Sequence, residues 1–461
     1  DERNIQPLSD DYIKFIRFAH DRIERTGAGI VAMITNNSYL SGLIHRGMRE
    51  ELLKSFNEIF IVNLHGNSII GENTPKGNND DNVFDIRQGV AIVLMVKNES
   101  ASVTLKFNYT DIWGAREKKY QLLNEAFLNE IQWECLEIEE PNFFFVPKDF
   151  SYQNEYNKYI SAISFFGQGN KSADRGKAWG SGVKTNHDNL LIDYTKKDIY
   201  ERIKILADQT VTDKEVKKIF NLKDTNYWNT KRERQKINDT EWDNNILPYY
   251  YRPLDQRWVL YQPNLIEIKR GGASKYIMYQ FLRRENLGLY ICRQVISESW
   301  QHSIVSNKIA DLCYLSSKTR ENGYLLPIYL YPENNSNSLF SSLATSPWEP
   351  DIENGNRVLN YNLSIVNKME NKVSLIFNSH LAGREHTIED TFGPEDILAY
   401  IYAVFHSPTY RQRYAEFLKI DFPRVPLTSD ADLFRTLVDK GRELIALHLM
   451  ESPLLQNRIT H

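Results

Sequence analysis

The run Tyr249-Tyr250-Tyr251-Arg252-Pro253-Leu254-Asp255-Gln256-Arg257-Trp258 sets two guanidinium groups among aromatic rings around a proline turn. Guanidinium groups bind phosphate oxygens and guanine edges, and aromatic rings stack on bases. Between Arg252 and Arg293 the cations Arg252, Arg257, Lys269, Arg270, Lys275, Arg283, Arg284 and Arg293 face only the acids Asp255, Glu267 and Glu285, a local charge of +5. The whole chain is at -4, with 56 Lys+Arg against 60 Asp+Glu. That balance excludes a purely electrostatic nucleic-acid binder, so the local excess carries the signal. Its candidate contacts are Arg252, Arg257, Lys269, Arg270 and Lys275, the middle pair beside Gly271-Gly272. A structural reading stands next to the functional one: Arg252 and Asp255 pair with each other and simply hold the turn.

A second stretch of interest is glycine-rich and basic, from Phe165-Phe166-Gly167-Gln168-Gly169 to Gly182-Val183-Lys184-Thr185-Asn186-His187-Asp188. Small residues let backbone N–H groups approach an anion closely. Lys171, Lys184 and Thr185 are its candidate DNA contacts, with a solvated surface loop as the alternative. Phe165 to Gly169 spells FxGxG, the outline of a cofactor loop. The ten histidines form no HxxxH pair. His386 with Glu389 and His448 with Glu451 are lone HxxE pairs in charged stretches, so no metal is expected. Cys135, Cys292 and Cys313 form no CxxC pair; buried free thiols in a reducing cytoplasm are the expectation.

These residues must be positioned by a sizeable fold. Hydrophobic residues make up 41% and charged ones 25%, enough for a large core and too apolar for a disordered chain. A length of 461 residues suits about two to four domains. No run of about 18 apolar residues occurs, so no membrane span is expected. Asp10-Asp11 starts a helix that Gly27 stops, with Ile13, Ile16, Ala19 and Ile23 at helical spacing. Strands follow at 29–35, 58–64 and 89–96, with a helix over 43–56 and a polar loop over 65–81. The third strand, apolar throughout, is expected to be buried on both faces. A strand is predicted over 103–109 and a helix over 118–132 whose apolar residues are Leu122, Leu123, Phe127 and Leu128. Residues 194–240 are helical, the charge run Lys231 to Lys236 lying on a solvated face. Residues 333–350 form a polar linker. Pro394-Glu395-Asp396 opens a helix with a stripe of Ile397, Ile401, Val404 and Phe405, and further helices cover 410–418 and 433–450.

Four phrases, in this order, carry a resemblance. Ile34-Thr35-Asn36-Asn37-Ser38 ends one strand, and Val83-Phe84-Asp85-Ile86-Arg87-Gln88-Gly89-Val90-Ala91-Ile92 opens another. Tyr249 to Trp258 follows, with Leu254 where Phe is commoner, and then Asp421-Phe422-Pro423-Arg424-Val425-Pro426. The chain resembles the second half of an adenine-N6 DNA methyltransferase plus the target-recognition region of Type ISP and Type IIG restriction-modification enzymes. The resemblance implies an α/β fold: a partial Rossmann-like methyltransferase sheet, then an α+β target-recognition domain and a helical C-terminal region. The implied boundaries are 1–145, 146–340 and 341–461.

The resemblance further implies S-adenosylmethionine as methyl donor, double-stranded DNA as partner and a cytoplasmic location. The catalytic Asn-Pro-Pro-aromatic tetrapeptide and the glycine-rich cofactor loop of the family do not occur in the expected order, so a missing N-terminal half of the same polypeptide is expected to supply both. No catalytic residue is therefore assigned here, and the chain is expected to be inactive alone. The FxGxG at Phe165 falls outside the family order and is taken as coincidence. Phe84 matches an aromatic that packs on the flipped base in related enzymes; a core Phe at a strand start is the plainer reading. A non-catalytic DNA-binding specificity module is the alternative function, and a methyltransferase for RNA or protein a third.

Overall fold

Asp11 in the first turn and Gly27 beyond the last bound helix α1 (Asp11–Thr26), which buries Ile13, Ile16 and His20. In the computed structural model the described residues are 6–98, 105–169, 174–225, 228–238, 242–262, 265–266, 273–282, 284–297, 299–316, 319, 321–332, 346–381 and 383–456. The chain divides into two compact units, 1–150 and 151–461.

In the first unit α1 leads to β1 (Gly29–Asn36), the short α2 (Ser38–Ser41), α3 (Arg46–Ser55), β2 (Glu58–His65), β3 (Val90–Lys97), β4 (Lys106–Asp111), α4 (Arg116–Glu125) and β5 (Glu134–Cys135). The sheet order is β1-β3-β2-β4-β5. β3 runs antiparallel to both of its neighbours, from Gly29↔Lys97 to Asn36↔Val90 on one side and Glu58↔Val96 on the other, whereas β2 and β4 are parallel. The sheet is therefore mixed. β1 is an end strand, and its Ile30 and Ile34 side chains are exposed. The core gathers Leu52, Phe56, Ile59, Ile61, Val93 and Met95.

Helix α4 departs from expectation. It is shorter than 118–132, and Leu122, Phe127 and Leu128 are exposed. Its anchor is polar instead. The fully buried Lys119 ammonium donates to the Leu64 and Asp81 carbonyls, each at 2.7 Å, and to the Asp80 carboxylate at 2.9 Å. Full hydrogen bonding makes such a buried charge tolerable. An apolar stripe was thus the wrong guide to the buried face. Cys135 is likewise exposed, while Cys292 is buried.

The second unit contains α5 (Gln153–Tyr156), β6 (Ile160–Ser161), β7 (Gly180–Ser181), α6 (Asp188–Leu191), β8 (Ile192–Asp193), α7 (Lys196–Ala207), α8 (Asp213–Phe220) and α9 (Thr230–Asn238). The hairpin β9 (Ile246–Arg252) and β10 (Asp255–Leu260) follows, then α10 (Ala273–Tyr279), β11 (Gly288–Cys292), β12 (Ser303–Ser306), β13 (Ile309–Ala310), β14 (Gly323–Pro327), β15 (Tyr329–Leu330) and β16 (Val358–Leu359). The chain continues through α11 (Leu363–Val373), β17 (Ile376–Phe377), β18 (Thr391–Phe392), α12 (Pro394–His406), α13 (Pro408–Arg413), α14 (Ala415–Ile420), β19 (Arg424–Val425) and α15 (Ala431–His448). Two four-stranded sheets dominate, ordered β13-β9-β10-β8 and β12-β11-β14-β7. Residues 160–161 pair with 424–425, and 329–330 with 358–359, so both sides of position 340 belong to one unit. The 340/341 boundary itself lies outside the described residues, as does most of the 333–350 linker.

α12 starts with Pro394 at its first turn, and the Asp396 carboxylate accepts the Gly393 N–H at 2.8 Å. From Pro394 to Phe405 every residue is buried, so the expected stripe is part of a helix enclosed on all sides. Gly441 of α15 permits this closeness: a Cβ there would fall 2.0 Å from the Ala399 carbonyl oxygen. The charge run on α9 is only partly a solvated face: Lys231, Arg232 and Gln235 are exposed, but its other side turns inward. Glu233 and Arg234 are buried, and Arg234 donates to the carbonyls of Leu206, Asp208 and Val211 and to Asp213. That guanidinium closes the ends of neighbouring segments, a job periodicity does not encode.

Candidate nucleic-acid interface

The β9–β10 hairpin is closed by a loop of only two residues, Pro253 and Leu254. Below the loop, Arg252 lies opposite Asp255, but the next pair is Tyr250 with Gln256. Tyr251 is the extra residue of a β-bulge, which re-aims its side chain out of the pleat. Its ring takes the Arg252 guanidinium at 4.0 Å from the centroid and the Arg257 guanidinium at 4.1 Å. Arg257 in turn sits 4.4 Å from the Tyr194 ring centroid. The result is an alternating stack Arg252, Tyr251, Arg257, Tyr194. Beside it Lys196 lies over Trp258 at 4.7 Å.

Acids fix the stack. Arg257 donates to Asp255 through Nε at 3.0 Å and Nη2 at 2.8 Å, and to the Tyr194 hydroxyl at 3.0 Å. Hydrogen bonding to Asp255 raises the Arg257 pKa further above its ordinary value, more than burial lowers it. Arg252 does not pair with Asp255, as the turn reading held. Its Nη1 donates to Asp311 at 2.8 Å. Although the two residues are register partners, Asp255 is taken by Arg257 and Arg252 turns to the segment after β13. Asp311 also accepts from the Tyr249 hydroxyl at 2.7 Å and from the Cys313 N–H at 2.8 Å. Burial pushes its carboxyl above the usual carboxylate range despite these donors.

The glycine-basic phrase converges on the same place. Val183 N–H donates to the Ala310 carbonyl at 2.8 Å, and Leu312 N–H to the Val183 carbonyl at 2.7 Å. Gly182 is required by closeness: a Cβ would fall 2.5 Å from the Asp311 carbonyl oxygen. Thr185 is 1% exposed and its hydroxyl donates to Asp188. Asp188 accepts the Tyr251 hydroxyl at 2.9 Å. Thr185 thus positions Asp188 and, through it, Tyr251. A cleft of about 510 Å³ opens alongside, its lining including Asp188, Tyr194, Arg202, Phe220, Tyr251 and Arg257.

Of the sequence candidates, Thr185, Arg252 and Arg257 belong to one network. Lys184 is half-buried next to it, and Lys275 is exposed on α10. Lys171, Lys269, Arg270 and the Gly271-Gly272 turn lie outside the described residues. Tyr194 and Asp311 were missed. Asp311 has no local signature, and Tyr194 is a lone exposed tyrosine before a helix.

The turn Phe165 to Gly169 does not fit a cofactor loop. Phe165 and Phe166 are buried. The Gly167 N–H donates to the Asn360 carbonyl at 2.7 Å, and the Gln168 N–H to Asp174 at 3.0 Å. Amides already engaged cannot cradle a ligand. The same holds for Gly176, Lys177 and Ala178, whose N–H groups all donate internally.

In the first unit Phe84 lies before β3 with 44% of its surface exposed, so it is not a core residue. Its backbone is clamped. The Phe84 N–H donates to Asn82 at 2.9 Å; Arg116 donates to the Phe84 carbonyl at 3.1 Å and to the Asn82 carbonyl at 2.7 Å. Tyr120 donates to the Val83 carbonyl. Arg116 was not singled out in the sequence.

His65, in a left-handed conformation at φ 53, stacks on Trp113 at 3.3 Å and donates to Glu72 and Asp111 at 2.8 and 2.6 Å. Burial pulls its pKa down, but the two carboxylates outweigh it and hold it above the ordinary imidazole value. His386 contacts Asp396 and Arg442 rather than Glu389, and His448 contacts Tyr402 rather than Glu451. Among the described residues no cluster of three or more His, Cys, Asp or Glu could hold a metal, and no helix is long and apolar enough to cross a membrane.

The family model for the Type ISP C-terminal specificity domain matches residues 177–461, the segment that carries this network. The chain belongs to that family.

Three solved structures share the fold of this Type ISP chain. A DrdV–DNA complex aligns at TM-score 0.69 and 22% identity, covering 96% of this chain and 40% of that one. The ATP-dependent Type ISP restriction-modification enzyme LlaBIII bound to DNA aligns at 0.68 and 22%, covering 97% and 27%. A nuclease-deletion mutant of the Type ISP enzyme LlaGI, in complex with a DNA substrate mimic, aligns at 0.64 and 21%, covering 96% and 37%. The chain thus spans less than half the length of each. No curated protein matches it.

Proposed function

We propose that this chain recognises a DNA target on behalf of a site-specific adenine-N6 methyltransferase within a cytoplasmic restriction-modification system. The carrying observation is the Arg252–Tyr251–Arg257–Tyr194 stack, built inside the segment that matches the specificity family. Arg257 lies between two rings and Arg252 over one, and guanidinium groups positioned in this way are suited to hydrogen bonds to a guanine edge or to phosphate. The DNA complexes of DrdV, LlaBIII and LlaGI, which share the fold, support the reading.

In this proposal the first unit is the C-terminal half of a partial Rossmann-like methyltransferase sheet, and the rest of the parent enzyme supplies the catalytic tetrapeptide. S-adenosylmethionine is the methyl donor of the whole enzyme. The contribution of this chain is to the acceptor: Phe84, its backbone clamped by Arg116 and its ring exposed, offers a face for the extruded adenine. The second reading, a specificity module without catalysis of its own, is favoured for the isolated chain by the engaged amides of the Phe165–Gly169 turn.

The test is titration of duplexes at several salt concentrations, comparing a random-sequence pool with duplexes that the wild-type chain selects from it. Lys196→Ala, Lys275→Ala and Lys269→Ala should weaken all duplexes alike and each lower the salt slope by about one if the lysine meets phosphate. Arg257→Ala, Arg252→Ala or Arg270→Ala should cost about 1–3 kcal/mol on selected duplexes and little on the pool if the arginine reads a base. A wild-type chain that binds no duplex at any salt overturns the proposal.

A further inference from the structure

The hairpin tip puts an apolar side chain where neither the backbone nor packing asks for one. Leu254 has φ 60, in the left-handed region. Glycine or asparagine takes that conformation with little strain, whereas a bulky residue there is uncommon. Leu254 is also 68% exposed, so burial in its own unit does not compensate. Strain of this kind persists where the surroundings over-determine it, and it clusters at sites of function.

The surroundings here do over-determine it. Pro253 fixes φ on one side of Leu254. Arg252 is tied to Asp311, Tyr251 to Asp188, and Asp255 to Arg257. An exposed apolar tip on a rigid base is the form of a wedge. Its frame decides what it enters. Arg252 and Arg257 flank the tip in sequence and belong to the ring stack just beneath it. An apolar protein groove would have to desolvate those cations, whereas a DNA groove offers bases at its floor and phosphates at its rims.

We propose that Leu254 is an apolar wedge that the β9–β10 hairpin inserts into a DNA groove, partially unstacking a base step. This rests on the DNA-recognition reading and adds to it a residue that senses the deformability of the target. Flexible pyrimidine–purine steps deform most easily.

The experiment uses the full chain with Leu254→Gly and Leu254→Phe. Glycine relieves the left-handed strain, so that variant should melt no lower than wild type. Binding is measured on the random-sequence pool and on wild-type-selected duplexes carrying 2-aminopurine at successive steps. Leu254→Gly should leave pool binding and salt slope unchanged, weaken selected duplexes about tenfold and abolish the fluorescence rise at one step. Leu254→Phe should retain that rise. If Leu254→Gly matches wild type in selected binding and fluorescence, the wedge is wrong and the recognition reading stands. Equal loss on pool and selected duplexes also overturns the wedge, since Leu254 would then be a general contact. If wild type binds no duplex at all, both fall.

Discussion

Arg252 pairs with Asp311, 59 positions away, at 2.8 Å, and not with Asp255 three positions on. That one choice joins the hairpin to the segment after β13 and, through the Val183 backbone, to the glycine-basic phrase. Asp311 is the junction, and its removal should be felt in stability before it is felt in binding.

Asp311→Ala leaves the buried Tyr249 hydroxyl without its acceptor and releases Arg252. An orphaned buried donor costs about 1–3 kcal/mol, so the urea midpoint should fall accordingly. Asp311→Asn, which keeps an acceptor oxygen, should lose less. Equal midpoints for wild type and Asp311→Ala would mean the junction is not structural.

Gly182→Ala introduces a Cβ 2.5 Å from the Asp311 carbonyl oxygen, a backbone atom that cannot swing aside. Overpacking of this kind costs about 1–3 kcal/mol. A thermal melt of the variant should show the loss, with selected-duplex affinity falling as well because Arg252 shifts with its partner. An unchanged melt would contradict the close approach.

His65 gives the first unit a pH dependence of definite sign. Its folded pKa lies above 6.5, because Asp111 and Glu72 outweigh burial. The stabilisation is therefore fully present below the unfolded value of 6.5 and is lost as pH rises through the folded value. His65→Gln should destabilise more at low than at high pH. His45 runs the other way, pushed down to about 4 by burial and Arg49, so it resists protonation as pH falls below 6.5. Ring resonances followed by NMR should show the two histidines titrating on opposite sides of the ordinary value. A common midpoint for both would refute the assignment.

Phe84→Ala should leave the melt of this chain nearly unchanged, since the ring is exposed while its backbone is held by Arg116 and Tyr120. On the proposal that Phe84 stacks on the extruded base, the same change in the full-length enzyme should slow methylation roughly tenfold or more, because base stacking is worth about 1–3 kcal/mol. A variant that keeps full activity, or that unfolds, removes Phe84 from the acceptor site.

The sequence by itself determined what depends on neighbours within a few positions. Alternation and apolar runs placed β1, β2 and β3 to within a residue or two, and Asp11, Gly27 and Pro394 marked helix ends through capping and backbone geometry. The density of arginine and tyrosine around Pro253 marks the stretch that forms the β9–β10 hairpin. Tertiary structure decided the long-range pairings. Lys119 rather than Leu122 became the buried anchor of α4, because Asp80 and two carbonyls from other segments surround it. Glu233 and Arg234 left solvent because neighbouring segments end beside them. Tyr194 and Arg257, 63 positions apart, meet only because β8 pairs with β10. A charge selects its partner by distance and desolvation through space, and strand order together with a single bulge sets those distances.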